Sequence, residues 1–173
     1  MAAGIASKYD IARFTGVCAA SGSPIEPGDT YIAALIEPEP DSDLIRRDYL
    51  PGAWESSPVI EGLFACWRTR RREKEDKANP LIDNEELVAL FDSLSEPASD
   101  RQLSFRYALA LLLIRKRLLR QVGVRRTAEE ETLLLKRWGA ANEAPVDVQR
   151  PHLDAARCAA LVEELSTVLR DDA

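Results

Sequence analysis

Histidine is close to absent from this chain of 173 residues: His152 stands alone. A Ser-His-Asp or Cys-His arrangement would have one base to build on, and no serine or cysteine stands at a spacing that points to it. Cysteine is scarce as well. Cys18, Cys66 and Cys158 are odd in number and far apart, unlike the framework of a disulfide-stapled secreted domain. The glycines never gather into a P-loop or a G-x-G-x-x-G turn, and H-E-x-x-H is missing, which removes the common nucleotide and metalloprotease signatures. Long hydrophobic runs are lacking too. The most apolar, Tyr107 to Ile114, is closed off by Arg106 and Arg115, far short of the roughly 20 residues of a membrane span. The opening MAAGIASKYDIARF has no basic stretch leading an apolar one. No secretory leader and no membrane association are therefore expected, and the reading places the chain in the cytoplasm.

What remains is ordinary globular material, 46% hydrophobic and 30% charged. That balance supports a core without help from a metal or a disulfide, and no cofactor is expected. Acidic residues outnumber basic ones, 29 to 23, for a net charge of -6. The sign disfavours bulk nucleic-acid binding by the whole chain, although a local basic face can still bind one.

The pattern along the chain predicts an α+β fold with a small antiparallel β unit over 9–72, a charged linker over 73–82 and a helical unit over 83–170. In the first part, β-type runs alternate with turn markers such as Ser21-Gly-Ser-Pro and Pro27-Gly-Asp29. Thr30 to Ile36 is the best strand candidate, followed by Leu44 to Tyr49, a turn at Pro51-Gly52, and Gly62 to Thr69. Asp83 with Glu86 suggests a capped helix ended by Pro97. Ser99 with Gln102 suggests a second, running to about Gln121 and terminated by Gly123 as the buried backbone of the unit. A short β-hairpin is expected over 122–137, against a helix from Glu129 to Trp138 on propensity alone. A final helix from Ala155 to about Leu169, capped by Asp154, closes the core.

Three features could carry function. Cys18-x-x-Ser21-Gly22 and Cys66-x-x-Thr69 each resemble half of a zinc-ribbon turn, with a hydroxyl where the second cysteine would stand. Hydroxyls are poor zinc ligands and two thiolates do not complete a site, even with His152 as a third. Buried cysteines on neighbouring strands, in a metal-free ribbon-like fold, are the simpler reading. The second feature is basic: Arg115, Lys116, Arg117, Arg120, Arg125 and Arg126 follow one another with no acid among them, and Arg68 to Arg72 repeats the theme beside Trp67. Arginine forks suit phosphate, so RNA or a phosphorylated ligand is one reading, and helix-dipole or internal pairing the plainer one. The third is Arg46, Arg47, Tyr49 and Trp54, which exposed together would make a recognition patch and buried would anchor the β unit. The acid-rich stretch from Glu26 to Asp43 follows no EF-hand spacing and reads as a solvated loop or a surface for a basic partner.

CAASGSPIEPGDTYIAALIE, RRDY, Trp54, FACWRTR and FRYALALLLIRKRLL together resemble a family of bacterial proteins of unknown function. The resemblance spans roughly Gly16 to Leu169. It implies no activity, only that the β unit and the helical unit belong to one architecture. The expectation for the whole is a non-catalytic binding or adaptor protein with a protein partner, the alternatives being RNA or phosphate-ligand binding through 115–126 and a zinc-binding structural domain.

Overall fold

The computed structural model describes residues 14–57, 59–71, 84–140, 142–154, 156–161 and 163. The fold is α+β, with two small antiparallel sheets and helices in two compact units. The expected linker at 73–82 and Asp83 lie outside the described residues, as does most of the expected C-terminal helix, which is described as helical at 156–161 and 163.

In the first unit, β1 (Thr30–Ile36) lies between β2 (Ile45–Tyr49) and β3 (Leu63–Arg70). A central strand needs both faces covered, and from Tyr31 to Ile36 every residue of β1 is buried. Its two alanines let larger neighbours in: Ala33 sits between Asp48 and Trp67, and Ala34 between Arg47 and Cys66. Gly62 closes the β1–β3 pair by accepting the Glu37 N–H at 2.7 Å with φ at +72°, where a Cβ would overlap the Glu37 carbonyl oxygen. Pro51-Gly52 is more than a turn. Proline at the first helical position starts α1 (Pro51–Glu55), because its missing N–H has no intrahelical role there. Ahead of β1, Val17 and Pro24 form a single antiparallel bridge.

The second unit begins with α2 (Asn84–Ser93), which buries Leu87, Leu90 and Phe91 against α3 (Asp100–Arg115). The Ser99 side chain caps α3 by accepting the Gln102 N–H at 3.2 Å, and Gln102 reaches back to the Ala98 N–H at 2.7 Å. The helix stops six residues before Gln121. Its end is a Schellman motif: the Leu118 N–H donates to Leu113 O at 2.9 Å and the Arg117 N–H to Ile114 O at 3.0 Å, with Arg117 left-handed at φ +59°. The chain then enters β4 (Leu119–Arg126), pairs with β5 (Glu131–Arg137), and continues through β6 (Val146–Gln149), which the sequence pattern did not announce. Gly123 therefore ends no helix. It lies in β4 beside a bulge at Val122, where Leu134 Cδ1 would stand 3.3 Å from an added Cβ. Leu119, Leu133, Leu135 and Val148 fill the inner face of this sheet, and α3 contacts both β4 and β6.

Candidate functional site

The basic segment divides between a helix end and a strand. Arg115 occupies the last turn of α3, where its charge meets the negative end of the dipole. Lys116 is the cap residue, and its Nζ reaches Asn84 Oδ1 at 3.3 Å. On β4 the side chains alternate. Arg120 and Arg125 fall on the face opposite Leu133 and Leu135, and Arg126 falls on the inner face at the hairpin end. Arg125 pairs with Asp147 at 2.8 Å and Arg126 with Glu131 at 2.9 Å. Arg115, Arg117 and Arg120 are exposed and have no acidic partner among the described residues.

The outer face carries an aromatic residue that pattern reading passed over. Trp138 follows β5, its N–H donates to Leu118 O at 2.9 Å, and 63% of it is exposed. That bond sets the Trp138 backbone beside Leu118, the residue after Arg117. Arg120 stands directly opposite Lys136 in the ladder, so two cations face one another across the strands.

At the other end of the hairpin, Glu131 accepts from Arg126 at 2.9 Å and from Arg150 at 3.2 Å. The hydrogen bond from Arg126 first, then that from Arg150, holds its carboxyl below the ordinary glutamate range. These residues border a cavity of about 500 Å³ that also takes in Tyr107, His152 and Cys158. Histidine and thiol thus share a cavity despite lying on a loop and a helix. No hydrogen bond joins them among the described residues.

The Arg46–Trp54 patch does not form a surface. Arg46 and Asp48, two apart on one strand, point to the same buried face and pair at 3.0 Å. Arg46 Nη2 also donates to the Tyr31 hydroxyl at 3.2 Å, and its guanidinium lies 5.5 Å from the Trp67 ring centre. On the opposite face, Tyr49 is buried and meets Trp54 edge-on with ring centres 5.2 Å apart. Arg47 alone of the four is exposed. The sequence pattern left burial open as the alternative, and the structure takes that course.

Cys18 and Cys66 come together in one apolar cluster with Ala34, Tyr49 and Trp54. Burial opposes ionisation of Cys18, but hydrogen bonds from the Ser21 hydroxyl and from the Leu50, Ser21 and Ala20 N–H groups hold its thiol below the ordinary value. Burial pushes the Cys66 thiol up. The turn after Cys18 closes through Gly22, whose N–H donates to Cys18 O at 2.8 Å with φ at +69°. Among the described residues, no group of three or more His, Cys, Asp or Glu is placed to hold a metal ion. No described helix is long and apolar enough to cross a membrane.

No family model, no curated protein and no solved structure matches the chain. The site therefore has to be read from its own residues.

Proposed function

We propose that this chain is a non-catalytic binding protein that docks an acidic protein partner on the outer face of its second sheet. One observation carries the reading: Trp138 stands 63% exposed near the turn at Arg117 and the strand at Arg120, and among the described residues neither arginine has an acidic partner. Water tolerates an exposed indole poorly, and Trp and Arg are the residue types enriched at the energetic centres of protein interfaces. Val122, 45% exposed at the β4 bulge, adds apolar surface on the same strand. The cations favour a partner segment rich in Asp or Glu.

The test is affinity capture of the tagged chain at low salt with nuclease present. A stoichiometric acidic protein that is lost on Trp138→Ala supports the reading, and capture unchanged by that substitution opposes it.

A second reading rests on the pairing of Arg120 with Lys136, since facing cations with a neighbouring indole also suit single-stranded nucleic acid. Binding of a labelled oligonucleotide that falls steeply with salt would favour it.

A further inference from the structure

Arg106 is charged, sits on α3 and is 7% exposed, yet forms no ion pair among the described residues. Its Nη1 donates to two backbone carbonyls, Ser95 O at 3.2 Å and Asp147 O at 3.1 Å. The second lies on the outer edge of β6, so the guanidinium blunts that edge. One face of the guanidinium covers the Phe91 ring, 4.9 Å from its centre. This leaves the Nε–Nη2 side, which is the side that receives a carboxylate in the two-bond fork. Nε is buried and has no hydrogen-bond partner. A buried donor left unmet is costly, and a ligand oxygen that reached it would remove the cost.

Beside Arg106 lies a cavity of about 280 Å³, at the small end of ligand pockets, which run from roughly 300 Å³ upward. Thr132 and Gln149, register partners on β5 and β6, line it together with Glu130 and Leu103. Among the described residues, the Thr132 hydroxyl, the Gln149 amide and the Glu130 carboxylate have no side-chain partner. Asp147, which also borders the cavity, pairs with Arg125 at 2.8 Å, and its charge also acts on Arg106. The cavity therefore offers a desolvated cation, two neutral hydrogen-bonding groups and one unpaired anion.

We infer that this cavity binds a small zwitterion of the amino-acid type, its carboxylate on Arg106 and its ammonium on Glu130. A simple anion would be repelled by Glu130, whereas a molecule carrying both charges satisfies both groups. The Thr132 hydroxyl and the Gln149 amide complete the polar contacts, and Leu103 offers an apolar wall for a side chain.

The experiment is an ¹H–¹⁵N titration of the full chain with each proteinogenic amino acid, with propionate and propylamine as single-charge probes. The expected result is saturable movement of the Ser95, Thr132 and Gln149 amides by at least one amino acid. Glu130→Gln should weaken that binding at least about tenfold and leave propionate no weaker. Arg106→Lys should abolish it. Since a change at a buried arginine can disturb folding, Gln149→Leu and Thr132→Val serve as partially exposed controls that should each weaken it. The absence of saturable movement with every amino acid would overturn the inference, as would binding indifferent to Gln149→Leu and Thr132→Val. Propionate binding as tightly as the best amino acid would overturn the role of Glu130, and the zwitterion with it.

Discussion

Replacing Asp48 by alanine removes the buried acceptor of a network that ties Arg46 to Thr15. The carboxylate takes the Thr15 N–H and hydroxyl, both at 2.8 Å, and Arg46 Nε at 3.0 Å, with no exposure of its own. The substitution leaves the Arg46 guanidinium in the interior without its counter-charge. Losing one partner of such a pair costs about 3–5 kcal/mol, against a total domain stability of about 5–15 kcal/mol. With a urea slope of about 1.5 kcal/mol/M for a unit this small, the midpoint should fall by about 2–3 M. Tryptophan fluorescence reads this well, because Trp54 and Trp67 lie in the first unit and Trp67 is buried near Arg46. A Trp138→Phe background removes the emission of the second unit. Arg47→Ala, on the exposed side of the same strand, should stay within about 0.5 kcal/mol. A shift below about 1 kcal/mol for Asp48→Ala would refute the buried pair and return Arg46 to the surface.

Further expectations follow from the same geometry. Arg117→Gly should raise stability by about 0.5–1 kcal/mol in thermal or urea unfolding, because glycine adopts the left-handed conformation at φ +59° without penalty; a loss would contradict the Schellman ending. Gly62→Ala should cost more than about 1 kcal/mol, since positive φ and the Glu37 carbonyl both oppose a Cβ. Glu131 has a folded pKa below its unfolded one, so its contribution is present above the unfolded pKa and is lost as pH falls through the folded value. A carboxyl-detected titration should place its midpoint below the ordinary glutamate value and return it towards that value in Arg126→Ala. Thiol reagents should reach exposed Cys158 first and buried Cys18 only on unfolding, whatever the lowered pKa of Cys18. Mass mapping that found Cys18 modified as fast as Cys158 would refute that order.

Much of the fold was legible where local and tertiary preferences agree. Thr30 to Ile36 stands between turn markers and is rich in strand formers, and β1 has those bounds. Ser99 and Gln102 make the expected cap. The end of α3 was not legible, because Ile114 to Gln121 has good helix propensity throughout. What stops the helix is tertiary: the pairing of Leu119 to Arg126 with β5, reached through a left-handed arginine where glycine is usual. β6 escaped notice because Val-Asp-Val-Gln is too short to show a period.

The site was less legible than the fold. The charges of Arg46 and Asp48 suggest a surface, and only the shared face of β2 shows that they neutralise one another inside. Trp138 was hidden by the competing helix over Glu129 to Trp138, and Arg106 by the apolar run it precedes. A signal for Trp138 did exist: an indole two residues beyond Lys136, just past the strand candidate Thr132 to Arg137.

The central claim is that the outer face around Trp138 docks a protein. Its most direct test compares the wild-type chain with a Trp138→Ala, Arg120→Glu variant in nuclease-treated capture from the native host. Both changes lie at exposed positions, so the variant should fold as the wild type does. The account expects an acidic partner at near-equal stoichiometry with the wild type and its loss from the folded variant. The same partner recovered equally by both would contradict it.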